Sequence, residues 1–342
     1  MSPSPTIKDV AARAGVSFTT VSHVLNGTRR VSETSRQRVE RAVSEMGYVP
    51  SALARALKTS ETHVLGVLVP NITNPFFAEL TRGVEDAARG QGYSVFLCNC
   101  DDEPARQLGY VQSLLARRVD GLLLANSAAE ASTVADALKQ TPVPTVVVER
   151  AVAGLDADLV RLDNTGGARL ATEHLLGLGH RRIACLAGPL AFEVSRARVA
   201  GWREALAAAG ITPAPGWLVA GPYSPAQGHA ATLGLLADHP EITAICAGND
   251  LLGIGALRAA AERGVAVPGQ LSVIGFDGIE LGGFVHPGLT SVGEDIRAIG
   301  ARAAAVLIER IRRAATHHHG PARELVVTPA LILRESTGPV PA

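Results

Sequence analysis

The sequence predicts an α/β fold that follows a small all-α segment, and three observations predict it. From Thr62 onward, short apolar runs alternate with amphipathic helical stretches, a pattern typical of repeated βαβ units. Residues 1–50 instead contain three short helical patterns with polar caps. The composition, 47% hydrophobic and 19% charged over 342 residues, excludes a disordered chain and favours two to three packed domains.

The caps and the apolar spacing define the three N-terminal helices. Two of them are joined by a tight Ala-Gly-Val turn and a third supports them, which predicts a helix-turn-helix whose second helix enters the DNA major groove. The alternative is a three-helix bundle with a polar face. The predicted N-caps are Thr6, Ser17 and Ser32, and the predicted terminating glycines are Gly15, Gly27 and Gly47. The predicted inward-facing residues are Ile7, Val10, Ala11, Ala14, Val21, Val24, Leu25, Val39, Ala42, Val43 and Met46.

The larger, C-terminal part of the chain is expected to form two doubly wound halves of parallel strands that make a clamshell. The predicted strands are 64–69, 93–98, 121–124, 146–148, 159–162, 183–187, 218–219, 242–246 and 271–276. The predicted helices are 76–91, 104–117, 129–140, 165–178, 196–209, 225–237, 251–263 and 295–313.

Charge is distributed unevenly, although the formal net charge of the chain is zero. Residues 1–60 contain nine basic and four acidic residues, so the remainder is slightly acidic. A basic N-terminal segment indicates a nucleic-acid partner.

Several other classes of protein are disfavoured. The longest stretch without a formal charge, 205–237, contains four prolines and cannot be a membrane-spanning helix. The N-terminus has no apolar core of a signal peptide, so we expect a cytoplasmic protein without a membrane partner. The four cysteines lack CxxC spacing and are expected to be buried free thiols. No phosphate loop, HExxH or GxSxG motif is present, so we expect no cofactor and no catalytic residue. We expect no metal site either, because His317, His318 and His319 should lie in an exposed loop.

Polar and aromatic side chains follow the predicted strands at their carboxyl ends, where open α/β sheets bind ligands. They are Asn74, Phe76, Phe77, Asn126, Glu149, Arg150, Arg198, Tyr223, Asn249 and Asp277. Carboxylates and guanidinium groups can grip vicinal hydroxyls, and aromatic rings stack on apolar sugar faces, so this set favours a sugar. For each polar residue, the alternative is a loop cap or a hydrogen bond between the two halves. An amino acid, held by Arg198 and Glu149, is a further alternative.

Residues 6–26 and 47–58 closely resemble the headpiece and the hinge segment of the lactose/galactose repressor family, and the resemblance extends over essentially the whole chain. It implies a headpiece at 1–49, a hinge helix and linker at 50–61, and an effector-binding and dimerisation domain at 62–342. Because the chain of this family crosses three times between subdomains, the late helix should return to the first half. The expected N-subdomain is 62–161 plus 293–322, and the expected C-subdomain is 162–292 plus 323–336.

The resemblance also implies DNA contacts. Phe18, Thr19 and His23 match base-reading positions, and Phe18 could offer only apolar contact, such as to a thymine methyl group. The alternative for Phe18 is packing on the headpiece surface. Leu57 matches the leucine that is pushed between central base pairs in the minor groove. The remaining expected DNA contacts are Ser17, Thr20, Ser22, Asn26, Arg29, Ser51, Ala54 and Lys58.

In the clamshell, the runs 74–77, 148–150, 198–202, 247–250 and 275–278 resemble the ribose repressor and ribose-binding protein branch, with a fold like that of periplasmic binding proteins. The resemblance adds Glu294 to the expected ligand-binding residues. Three residues depart from the usual pattern, because Glu149 replaces an aspartate, Glu294 a glutamine and Tyr223 a phenylalanine or tryptophan.

We therefore expect a bacterial transcriptional repressor of a sugar-utilisation operon, nucleoid-associated in the cytoplasm. It should bind a pseudo-palindromic operator in double-stranded DNA as a homodimer, under control of a ribose-like pentose in the cleft. A hexose, a polyol or a nucleoside is the alternative effector. A sugar-binding transport receptor would share the clamshell but lack the headpiece, and an enzyme would need a poised acid/base pair such as Glu149 and Asp277.

Overall fold

The computed structural model describes residues 5–27, 29–49, 61–125, 132–316 and 320–340. The chain divides into two compact units, Met1–Thr62 and His63–Ala342. Several predicted features lie outside the described residues, namely Ser51, Ala54, Leu57 and Lys58 of the hinge, Asn126, and the run His317 to His319.

The first unit contains the three predicted helices, α1 (Ile7–Ala14), α2 (Phe18–Asn26) and α3 (Glu33–Met46). Their N-caps are confirmed as Thr6, Ser17 and Ser32, whose side chains accept backbone N–H groups of the first turn. Each helix ends at the predicted glycine in a left-handed conformation. The core is formed by the predicted apolar faces, with Val10, Val21 and Val39 fully buried.

The second unit is built on two six-stranded sheets. The first has the strand order β11-β5-β4-β3-β1-β2 and the second has the order β12-β10-β9-β8-β6-β7. The strands are β1 (Val64–Val69), β2 (Ser94–Asn99), β3 (Gly121–Leu124), β4 (Thr145–Val148), β5 (Asp158–Leu162), β6 (Ile183–Ala187), β7 (Leu218–Ala220), β8 (Ala244–Ala247), β9 (Ser272–Asp277), β10 (Thr290–Gly293), β11 (Glu324–Val327) and β12 (Ala330–Ile332).

Helices pack against both sheets, and their apolar residues meet the buried central strands β3, β4, β6 and β8 in continuous cores. The helices are α4 (Pro75–Gly90), α5 (Pro104–Ala116), α6 (Ser132–Gln140), α7 (Asn164–Gly177), α8 (Glu193–Ala208), α9 (Pro225–Asp238), α10 (Asp250–Glu262) and α11 (Ile296–Ala315), with a short 3-10 helix at Glu280–Gly283. Within the described part of the chain, no helix is long and apolar enough to cross a bilayer.

The nine predicted strands are confirmed, and three further strands were not predicted. β10, β11 and β12 have only three or four residues each. β12 pairs with β10 in antiparallel orientation, whereas the sequence predicted only parallel strands.

The chain passes between the two sheets three times, after β5, after β10 and after β11. The late helix α11 packs against α4 and the first sheet, as expected. The last crossing differs from the predicted boundary at residue 322, because β11 pairs with β5 in the first sheet. Residues 324–327 therefore belong to the N-subdomain rather than to the C-subdomain.

The α4–α11 contact depends on two glycines. A Cβ atom on Gly83 would lie 2.1 Å from the carbonyl oxygen of Arg297, and one on Gly300 would lie 2.2 Å from that of Leu80. Because both clashes would be with backbone atoms, an added Cβ atom could be accommodated only if the two helices moved apart.

We expect Gly83→Ala to destabilise the chain by about 2–3 kcal/mol, because the added methyl group forces α4 away from α11. Gly109 provides the control, since a Cβ atom there would meet nothing within 4 Å and Gly109→Ala should slightly stabilise α5. The midpoints of thermal unfolding, followed by far-ultraviolet circular dichroism, measure both effects. Equal midpoints for the two variants would contradict the close packing.

Candidate functional site

The exposed face of α2 carries a large apolar side chain among polar ones. Phe18 begins the helix and is 59% exposed, so its ring has little packing within the headpiece. Ser17 accepts a hydrogen bond from the N–H of Thr20 at 3.1 Å, and Asn26 donates to the carbonyl oxygen of Ser22 at 2.8 Å. The predicted residues Thr19, Ser22 and His23 lie on the same helix, and Arg29 is exposed just after it.

A cavity of about 350 Å³ lies between the two sheets of the second unit, at the carboxyl ends of their strands. Nine of the predicted ligand-binding side chains line it, namely Asn74, Phe76, Phe77, Glu149, Arg150, Arg198, Tyr223, Asn249 and Asp277. The topology brings them together because parallel strands end at one edge of each sheet and the two edges face each other.

Arg198 on α8 is the buried cation of the cavity. Its Nε donates to Oδ1 of Asn164 at 2.8 Å, and its Nη1 donates to the carbonyl oxygen of Gly248 at 2.6 Å. The same Nη1 lies 3.2 Å from Oδ1 of Asp277, and the guanidinium group stacks on the ring of Phe276 at 3.8 Å. Burial lowers the pKa of Arg198, but Asp277 and the other acidic neighbours raise it above its ordinary value, so the group stays charged.

Two neighbouring carboxyl groups lie close to Arg198, Asp277 at the end of β9 and Asp250 at the start of α10. Burial raises the pKa of Asp277 to about 6, although Arg198 partly offsets the rise. Asp250 does not line the cavity, and burial together with the nearby Asp277 carboxylate raises its pKa to about 8. Asp250 accepts hydrogen bonds from the hydroxyl of Ser291 and the N–H of Ile279, so it supports the strand ends from behind. Asn249 caps α10 by accepting from the N–H of Leu252 at 3.0 Å.

Glu149, at the end of β4, is held on both carboxylate oxygens. Oε1 accepts from the N–H of Leu162 at 3.0 Å, and Oε2 accepts from the side-chain amide of Asn164 at 3.0 Å. Asn164 begins α7 directly after the first crossing and also accepts from Arg198. A continuous hydrogen-bonded path therefore runs from Glu149 in the first subdomain to Arg198 in the second.

Aromatic rings line two walls of the cavity. Phe76 and Phe77 lie in the first turn of α4 with their rings edge to face, 5.2 Å apart. Asn74 caps that helix by accepting from the N–H of Phe76 at 3.1 Å. On the opposite subdomain, the hydroxyl of Tyr223 lies 2.8 Å from that of Ser195. The lining thus combines flat apolar faces with charged hydrogen-bonding groups, the combination that a sugar requires.

Arg150 contacts both subdomains. Its Nη1 lies 3.4 Å from a carboxylate oxygen of Asp102, which follows β2. Its guanidinium carbon lies 3.9 Å from the centroid of the Phe192 ring, which precedes α8 in the other subdomain.

Sequence reasoning did not identify several side chains of this region. Asp102 and Asn164 are polar residues beyond the carboxyl ends of strands, so the rule that found the other residues could have found them. Phe192 carries no such polar signal. Glu294 follows β10, the neighbour of β9, but it does not line the cavity.

A second cavity of about 310 Å³ lies at the amino ends of β4, β5 and β11. Two of its three arginines, Arg310 and Arg323, pair with Asp158, and Arg323 also donates to Glu309. No group of three or more potential metal ligands occurs in the part of the chain that the structure describes.

Each of the two units matches a known protein family. Residues 6–51 match the model of bacterial regulatory proteins of the lacI family, and residues 62–333 match that of periplasmic binding proteins and the sugar-binding domain of the LacI family. The ribose operon repressor of Escherichia coli (strain K12) is 39% identical over 331 residues, which cover 97% of this chain and 99% of that repressor.

Two solved structures extend the comparison. The lac repressor dimer bound to operator and an anti-inducer has a TM-score of 0.87 and 28% identity, over 98% of this chain and 100% of that one. A regulator from Enterococcus faecium with bound ribose has a TM-score of 0.72 and 33% identity, over 81% of this chain and 99% of the other. The chain belongs to the LacI family of bacterial transcriptional regulators.

Proposed function

We propose that this protein is a repressor that binds a pseudo-palindromic operator as a homodimer. A sugar bound in the cleft controls its affinity for that operator. A ribose-like pentose is the proposed effector. The observation that carries the proposal is the cavity of about 350 Å³, in which two aromatic walls surround Arg150, Arg198, Asn249 and Asp277.

The geometry of the cavity supports a neutral polyhydroxylated ligand. The cations and carboxylates that line it partly compensate one another, as in the Arg198–Asp277 pair, so a ligand need not bring a full charge. A relative that binds ribose in its solved structure, and another named for the ribose operon, favour a pentose over a hexose, a polyol or a nucleoside.

The headpiece supports the DNA-binding part of the proposal. An exposed aromatic ring on a helix whose other outward residues are hydrogen-bonding side chains suits a groove that offers both thymine methyl groups and polar base edges. The lac repressor relative is a dimer on its operator, which supports a homodimer here. We assign the protein to the bacterial cytoplasm, where its operator would lie.

We further propose that the cleft binds its ligand without chemical conversion. Each candidate for acid/base work is already engaged, because Glu149 accepts two hydrogen bonds from the chain and Asp277 pairs with Arg198. Such carboxylates suit hydroxyl recognition better than proton transfer. Turnover of a bound sugar by the purified protein would contradict this assignment.

Operator affinity should fall steeply with salt, because the basic headpieces of a dimer displace counterions from phosphates. Between about 50 and 200 mM salt we expect a loss of about a thousandfold, measured by fluorescence anisotropy on a labelled operator. Affinity for a neutral sugar over the same range is the internal control and should hardly change. A salt-independent operator affinity would argue against phosphate-dominated binding.

Phe18→Ala should relax base preference at one position of each half-site by about 1–3 kcal/mol, because the apolar contact to a base is lost. The preference is measured by competition among operators with single base-pair changes. Thermal stability serves as the control and should be nearly unchanged, since the ring is 59% exposed. An unaltered preference would assign Phe18 to packing rather than to base recognition.

Asp277→Asn should weaken sugar binding by about 2–5 kcal/mol, because Arg198 loses its charged partner in a closed cleft. Calorimetry with pentoses, hexoses, polyols and nucleosides measures the loss and identifies the preferred class. Asp238→Asn, an exposed carboxylate at the end of α9, is the matched control. The pentose assignment is overturned if no pentose binds below about millimolar concentration, the weak limit of specific affinities.

The pH dependence follows from the raised pKa of Asp277, about 6. Sugar hydroxyls donate to the ionised carboxylate, so affinity should be highest above that pKa and should fall as protonation removes the charged acceptor. The dependence should be absent from Asp277→Asn, which provides the test of its origin.

A further inference from the structure

The contact between Arg150 and Phe192 differs from the other arginine–aromatic contact of the cavity. Arg198 and Phe276 both belong to the second subdomain, on α8 and β9, so their contact is independent of the cleft. Arg150 follows β4 in the first subdomain, and Phe192 lies in the β6–α8 connection of the second. Their contact exists only when the two subdomains approach each other.

Both partners are held in place from their own sides. The side chain of Arg150 is only 11% exposed and is paired with Asp102, whose backbone adopts a left-handed φ of 55°. The Phe192 turn is closed by its own N–H, which donates to the carbonyl oxygen of Pro189 at 3.0 Å. Arg196 pins the same turn by donating to the carbonyl oxygens of Leu190 and Ala191.

We propose that Phe192 is a positioning residue that orients Arg150 for the ligand and latches the two subdomains together through a cation–π contact. The proposal rests on the proposed function of the cleft as a sugar site. Phe192, Arg150 and Asp102 all line the cavity, so the latch closes over the bound molecule. A desolvated guanidinium group on an aromatic face is stabilised more strongly than an exposed one, and this burial favours the closed form.

The test separates aromatic character from side-chain size. Phe192→Leu keeps apolar volume but removes the ring face, and we expect it to weaken D-ribose binding by about tenfold in calorimetry. Phe192→Tyr keeps a ring face and should recover most of this loss. Leu190→Ala, in the same turn but outside the cavity lining, is the matched control. In a double-mutant cycle, the effects of Phe192→Leu and Arg150→Lys should be strongly non-additive.

Small-angle X-ray scattering of the ligand-free protein measures its radius of gyration and so tests the latch without any sugar. We expect the Phe192→Leu protein to have a larger radius of gyration than the parent and Phe192→Tyr. If D-ribose does not bind the parent, the pentose assignment fails, and scattering alone decides about the latch. Equal radii for the parent and both variants would overturn the latch. Equally weak ribose binding by Phe192→Leu and Phe192→Tyr would overturn the aromatic positioning role.

Discussion

A guanidinium group that leaves water must find partners, and the cleft is organised around this requirement at Arg198. Its donors reach Asn164, Gly248 and Asp277, three points contributed by the first crossing, by the end of β8 and by the end of β9. Removing any one partner would leave a buried charge incompletely compensated, at a cost of several kcal/mol. The ends of three separate segments are therefore fixed relative to one another by a single side chain.

Backbone conformation at the same strand ends reinforces this arrangement. Glu149 and Asp277 have backbone φ angles of 70° and 104°, a region that residues other than glycine rarely adopt. Such strained conformations persist where several surrounding interactions hold the residue in place. For Glu149 these bonds include its own N–H to Val160 and both carboxylate oxygens, and for Asp277 they include the pairing of β9 with β10. The unusual backbone turns the two carboxylates toward the cleft.

The sequence predicted those features that depend on local patterns. Capping residues such as Ser17 and long apolar strands such as β1 and β9 can be recognised from the residues next to them in the chain. The ligand-binding residues were found by the rule that open α/β sheets bind ligands at the carboxyl ends of their strands. Short strands such as β12 depend on the partner beside them, which no local pattern reveals. The contact of Phe192 is equally non-local, because its partner Arg150 follows a strand of the other sheet. Glu294 follows β10 but does not line the cavity, so its role in ligand binding stays a prediction.

The contacts of the cleft fall into two classes with different consequences for regulation. Those of Arg198 with Asp277 and Phe276 lie within one subdomain, so they contribute affinity in every degree of closure. The Arg150–Phe192 contact joins residues of the two different subdomains, so it depends on how far the cleft is closed. The Glu149–Asn164 contact joins the first subdomain to the first crossing. A ligand shifts a conformational equilibrium only through its differential affinity for the two states. A sugar that touches Arg150 as well as Arg198 and Asp277 therefore contacts both subdomains, and its affinity depends on the degree of closure.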